Sequence, residues 1–269
     1  WVIPTVYPGR NGTISWSTNL LTGPAQIVQV FASATLSCDV AGTVPAALPA
    51  SVTATGQRIA SPLLGLALWG GAAGGGDLAR AVTVTAGGTV YAAGTEATAG
   101  PSSDWRIWEY NPALNWLINS PTYDGPAGGW DFAYGIALGD SGSVLVAGSE
   151  QTAAAWWDWR VRKYDSTVGT VLGSMTFNGP ANGVDEAMAV AANAAGEVIV
   201  AGYGETALLA KAAWDISKSN AGLTSLVAST TYAGPAGLYD IATSVAVDAG
   251  GNILAGGQET VSPGTVKWS

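Results

Sequence analysis

The sequence predicts an all-β protein: a β-propeller of five four-stranded blades whose closing blade is shared between the two chain ends. Three observations predict it. Asp77, Asp131, Asp185 and Asp240 recur every 54 or 55 residues, and with them recur the related stretches Thr122 to Glu150, Thr176 to Glu205 and Thr231 to Glu259. Each unit holds four short β-type runs separated by turn residues, and a period near fifty with four strands is the mark of a propeller blade. Side-chain size also tapers through the unit. First runs such as Ala187-Met-Ala-Val-Ala-Ala192 are small, whereas third runs carry Trp105, Trp159 and Trp214. Blades crowd at the axis and splay outwards, so small inner strands and aromatic outer ones fit that shape.

The unit from Asp131 shows the runs best. Tyr134 to Leu138 and Ser143 to Ala147 are joined by Gly139-Asp-Ser-Gly142, whose residues supply the positive φ of a tight hairpin. Trp159 to Tyr164 follows as the third run, and Val171 to Phe177 as the fourth after the turn at Asp165. Helical spacing of three and four is missing. The nearly continuous apolar runs suit strands buried on both faces. Residues 1–76 form a divergent first unit: Thr22-Gly-Pro-Ala25 and Phe31 to Val40 echo the template, and Trp69-Gly-Gly-Ala72 stands in for Tyr123-Asp-Gly-Pro126. Pro45, Pro49 and Pro62 there fit only strand ends or edges. Trp1 to Tyr7 resembles a third run and Thr13 to Leu21 a fourth, so the N-terminal segment is expected to complete the last blade begun by Asp240 to Glu259. Trp268 stands 54 residues after Trp214 and competes with Trp1 for that third place. The alternative is a window from a longer array. Repeats of this kind pack on their neighbours, so residues 1–269 are read as one domain, with the regular repeats at 77–259.

Composition narrows the function. With 48% hydrophobic and 11% charged residues the chain can bury a large core, and disorder is not expected. A net charge of −9, with no basic cluster longer than Arg160-Val-Arg162-Lys163, disfavours phosphate backbones, so nucleic acid is not an expected partner. Cys38 is the only cysteine, which removes an internal disulfide and any thiolate metal cluster. Even the apolar stretch Ala60 to Ala73 is broken by Pro62 and glycines, so no membrane span is expected. A start at Trp1 and the low lysine content lean towards export. Asn11-Gly-Thr13 reads as a turn.

Asp131-Phe-Ala-Tyr-Gly-Ile-Ala, Gly142-Ser-Val-Leu-Val-Ala-Gly148, Thr176-Phe-Asn-Gly-Pro180 with Asp185-Glu-Ala, and Asp240 to Ala255 resemble the bacterial β-propeller repeat family called SBBP, and more distantly NHL-type propellers. The resemblance covers Asp77 to Glu259 and touches residues 1–76 faintly. It implies a propeller on an exported or cell-surface bacterial protein, and it brings no shared catalytic residues with it.

Four candidate site positions repeat. Glu96, Glu150, Glu205 and Glu259 close the second run, either as a ring of ligand-binding carboxylates or as strand-end residues repeated with the blade. Asp77, Asp131, Asp185 and Asp240 are expected to accept backbone amides of the Gly-rich loop before them. Neither Asp140-Ser-Gly142 nor Asp248 to Asn252 has the acidic spacing of a calcium loop, so no metal and no cofactor is expected. Trp156 and Trp157, placed in the loop before the third run, read as an aromatic platform for a sugar or as packing between blades. The chain has no histidine, which removes the commonest general base. The first runs offer Ala, Val, Ile, Thr and a lone Arg80, with no carboxylate pair for glycoside hydrolysis. The expectation is a non-catalytic scaffold that binds another protein or assembles with itself. A multivalent lectin with a sugar site per blade is the alternative, and a glycoside hydrolase stands behind both.

Overall fold

The computed structural model describes residues 12–21, 27–36, 66–71, 73–152, 156–207 and 211–268. Its coordinates group into two compact units, Trp1–Leu66 and Ala67–Ser269. In the first unit the described residues form one antiparallel hairpin, β1 (Gly12–Leu21) with β2 (Ile27–Leu36), paired from Gly12 against Leu36 to Leu21 against Ile27. Thr13 to Leu21 is thus a strand, as expected, but its described partner is the strand that follows it. Two ten-residue strands joined by only five residues pair locally, because closing so short a loop costs little entropy. The expected run at Trp1 to Tyr7, the Thr22 to Ala25 echo, Cys38 and the prolines 45, 49 and 62 lie outside the described residues.

The second unit is all-β and is built from four antiparallel sheets in chain order. The first contains β3 (Leu78–Val84), β4 (Val90–Ala97), β5 (Ser103–Tyr110) and a fourth strand split into β6 (Leu117–Asn119) and β7 (Thr122–Tyr123). Pro121 explains the split, since it has no N–H to donate; its carbonyl still accepts from Ile107 N at 3.1 Å. The second sheet is β8 (Asp131–Leu138), β9 (Val144–Gln151), β10 (Trp157–Tyr164) and β11 (Val171–Phe177). The third is β12 (Asp185–Ala192), β13 (Val198–Ala207), β14 (Lys211–Ser219) and β15 (Leu226–Tyr232). The last has three strands, β16 (Ile241–Val247), β17 (Ile253–Ser262) and β18 (Thr265–Trp268). The third place in that sheet is therefore filled by the segment ending at Trp268.

Turn chemistry repeats with the strands. Gly88, Gly142, Gly196 and Gly251 take positive φ between the first and second strands, where a Cβ would be strained. Between the third and fourth strands the turn is held by a side chain: Asn111, Asp165 and Asn220 each accept backbone N–H groups four and five residues ahead. The same turns hold Leu114, Val168 and Leu223 at positive φ. Val168 and Leu223 are buried in the core between their own sheet and the preceding one, and that burial offsets the backbone strain.

The core lies in three layers between successive sheets. Strand alternation divides the work: Val144 and Val146 face the first sheet, and Leu145 and Ala147 face the third. Each first strand carries a β-bulge, with register skips across Arg80, Tyr134, Met188 and Thr243. Opposite each bulge lies a glycine, Gly94, Gly148, Gly202 or Gly257. A Cβ on any of them would stand 1.8–2.1 Å from a first-strand carbonyl oxygen. The bulge brings the two backbones too close for any side chain there.

Candidate functional site

Each junction between sheets is built from the repeated polar and aromatic residues. The aspartates behave as expected. Asp77, Asp131, Asp185 and Asp240 accept the amide of the loop glycine six residues before, at 2.5–2.6 Å. They also accept an amide near the end of the second strand twenty residues on, at 2.8–3.1 Å. Asp131, Asp185 and Asp240 are fully buried. Burial disfavours the charged form and pushes the Asp131 and Asp185 carboxyls up to about 6, while the two amides pull each of them down.

Trp105, Trp159 and Trp214 are buried on the third strands, as expected. Each indole N–H donates to a backbone carbonyl on the second strand of the next sheet, at Ser149, Tyr203 and Gln258, over 2.8–3.0 Å. Each ring meets the fourth-strand aromatic eighteen residues on, Tyr123, Phe177 and Tyr232, at centroid distances of 5.4–5.6 Å.

The four glutamates lie in β4, β9, β13 and β17. Glu96 pairs with Arg106 at 3.0 Å. Glu150 is buried, pairs with Arg160 at 2.7 Å, and accepts the Tyr123 hydroxyl from the preceding sheet at 2.5 Å. Arg160 and Arg162 stand over the Tyr123 ring, at 5.4 and 4.1 Å, and Arg106 stands over Trp69 in the same manner at 4.7 Å. Trp69 thus takes the place of Tyr123, as the sequence suggested. Glu205 is buried and accepts the Tyr239 hydroxyl at 3.0 Å; Glu259 accepts that of Tyr232 at 3.2 Å. Phe177 holds the position of Tyr123 and Tyr232 but has no hydroxyl, and Tyr239 supplies one to Glu205 from another direction. The recurrence of arginine ten residues after Glu96 and Glu150 was a readable sign of these pairs.

Trp156 and Trp157 are half-buried, against the buried Trp159. Trp157 is the first residue of β10 rather than a loop residue, because Gln151 gives it a rung on β9. Its indole donates to the Trp130 carbonyl at 3.1 Å.

The first strands carry a group that repeat arithmetic passes over. Trp130, Phe132 and Tyr134 form a file of rings 6.1 Å apart with interplanar angles of 29° and 26°. Arg80 from the first sheet stands 5.0 Å over Tyr134. The Tyr134 hydroxyl donates to Glu186 of the third sheet at 3.0 Å, and Tyr203 bonds the same carboxylate. Burial pushes the Glu186 carboxyl up, and these hydroxyls and Arg80 oppose it. The first strands therefore offer Glu186, Phe132 and Tyr134 as well as Arg80, which corrects the reading that saw only Arg80 among small residues. All four occur once, so no period reveals them. The usable sign was alternation: Arg80 and Tyr134 each lie three residues after a repeated aspartate, and Phe132 and Glu186 one residue after.

Asp104, Asp124 and Asp131 bring carboxylate oxygens within 4.8 Å of one another. Oxygen donors suit a hard cation. Both oxygens of Asp131 are already engaged by amides, which leaves Asp104 and Asp124. The equivalent residues in the third sheet are Ala213 and Ala233, so the cluster is not a property of the repeat. Among the described residues no helix is long and apolar enough to cross a membrane. No protein-family model matches the chain, and no curated protein matches it in sequence.

Proposed function

We propose that the chain is a non-catalytic scaffold, a five-bladed β-propeller with a shared closing blade on an exported or cell-surface bacterial protein, whose exposed surfaces bind another protein or a second copy. One observation carries this. The residues that repeat are already engaged inside the fold: the third-strand tryptophans bond to the next sheet, Glu150 joins Arg160 of its own sheet to Tyr123 of the preceding one, and the aspartates tie the entry loop to their own second strand, so the repetition serves architecture. Antiparallel sheets in chain order, four-stranded except for the three strands of the last, with a tryptophan on each third strand, support the propeller reading. Multiplying one contact along such an array gains avidity without new chemistry. Affinity capture with purified candidate partners, alongside assays on chromogenic glycosides, tests the reading. Saturable capture with no turnover is expected, and turnover would refute it.

The lectin alternative draws support from one place. Trp130, Phe132 and Tyr134 present a file of rings beside Arg80 and Glu186, which offer a guanidinium and a carboxylate to sugar hydroxyls. On this reading there is a single sugar site, and Glu186→Gln abolishes glycan-array binding. A site per blade would instead lose only a fraction of binding on Glu150→Gln.

A further inference from the structure

The first two junctions of the row fill one and the same place differently. Between the first and second sheets, Arg162 stands 4.1 Å over the Tyr123 ring and 5.3 Å over that of Tyr164, which is buried in the same core layer as Trp105. Between the second and third sheets, Phe177 holds the place of Tyr123, while Ser217 and Ser219 hold those of Arg162 and Tyr164. Strand register fixes the equivalence: Arg162 pairs with Val146 and Tyr164 with Val144, as Ser217 pairs with Val200 and Ser219 with Val198. A guanidinium and a ring are missing from the second junction. Leu223 in the place of Val168 restores one carbon only. A cavity of about 240 Å³ remains there, with its mouth at the exposed Thr224 and Ser225. Trp159, Met175 and Phe177 line it from the second sheet, and Val200 and Leu223 from the third. It lies wholly within the second unit, and no first-strand residue lines it.

We propose that this cavity binds a small phenol, a single hydroxylated ring seated where Tyr164 places its own ring at the first junction. Size carries the first step, because an apolar cavity of about 150 Å³ already takes up benzene, and this one has room for one ring with a substituent. The walls carry the second. Trp159 and Phe177 present rings and Met175 a polarisable thioether, which suit an aromatic guest. Ser217 fixes the hydroxyl. Its Oγ donates to Asp215 Oδ1 at 2.8 Å, so its lone pairs are left to accept a phenol O–H. An apolar wall with one placed polar group is the usual design of a small-molecule site. The inference goes beyond the scaffold reading and does not depend on it.

Isothermal titration calorimetry of the full chain with p-cresol and with toluene tests this. Saturable binding of both is expected, with p-cresol about three- to tenfold tighter, the effect of one neutral hydrogen bond. Ser217→Ala removes that preference and leaves toluene binding unchanged. Ser219→Tyr returns the ring of the first junction to the second, and it abolishes binding of both ligands, since a close-packed interior has no room for another ring. A parent chain that neither ligand saturates overturns the proposal, as does binding that survives Ser219→Tyr. Equal affinity for the two ligands in the parent overturns the phenol assignment. Where Ser219→Tyr does not fold, the Ser217→Ala titration decides, and an undiminished preference for p-cresol there refutes the site.

Discussion

Gly148→Ala loads a strand pairing that, with the one at Gly94, is the closest among the described glycines. A Cβ at Gly148 would stand 1.8 Å from the Phe132 carbonyl oxygen and 2.9 Å from the Ala133 Cα. An ordinary carbon–oxygen contact begins near about 3.3 Å, so β8 and β9 must part by roughly 1.5 Å at the bulge. Both obstacles are backbone, so no rotamer change relieves them. The separation removes about two ladder hydrogen bonds in a region where Ala133, Val146 and Ala147 are fully buried, and it exposes polar groups without partners. At about 1 kcal/mol for each bond, with one group left buried and unpaired at about 1–3 kcal/mol, the cost is about 3–5 kcal/mol. That corresponds to a fall in melting temperature of roughly 6–20 °C for a unit of this size. Calorimetry on Gly148→Ala beside Gly70→Ala is the assay. Nothing lies within 4 Å of a Cβ at Gly70, and that variant should melt within about 2 °C of the parent. A Gly148→Ala protein that melts with the parent would refute the account of why glycine stands opposite every bulge.

Three further outcomes follow from the junctions. Trp159→Ala removes a buried indole and its bond to the Tyr203 carbonyl, and should cost about 3–5 kcal/mol in urea unfolding; an unchanged midpoint would count against the packing. Asp185→Ala leaves the buried Gly179 amide without its acceptor and the Glu205 amide with the Val184 carbonyl alone, and should cost about 2–4 kcal/mol, more than Asp165→Ala at an exposed turn. Glu109 is buried where the other sheets place Lys163 and Lys218, its Oε2 has no partner, and burial followed by Asp165 holds its carboxyl above the usual range. A carboxyl raised in the folded state adds stability below its unfolded pKa and loses it as pH rises through the folded value. Glu109→Gln should therefore raise the melting temperature at pH 7 and flatten its slope through the acidic range; a steeper slope in the variant would contradict this.

The sequence carried the architecture where residues recur. Asp131 and Trp159 were legible because each has equivalents at 54 or 55 residues, and a buried carboxylate or indole needs the same environment every time. Phe132, Tyr134 and Glu186 were not, since comparing repeats discards residues that occur once. Trp157 looked like a loop residue because the length of β10 depends on its partner strand, and Gln151 extends the ladder by one rung. The glutamates were seen as a set, yet their partners sit on neighbouring sheets or strands, where only the chain path brings Tyr123 to Glu150.

The indoles at the junctions bond to main chain, and the three residues whose carbonyls receive them are a serine, a tyrosine and a glutamine. A fitting that ignores side-chain identity has an evolutionary corollary. A copied repeat arrives with a tryptophan ready for whatever follows it and a carbonyl ready for whatever precedes it, so gene duplication can lengthen the row without compensating changes in its neighbours. Chimaeras that exchange the second and third sheets whole should then fold, while exchanges that cut a sheet between its third and fourth strands should not.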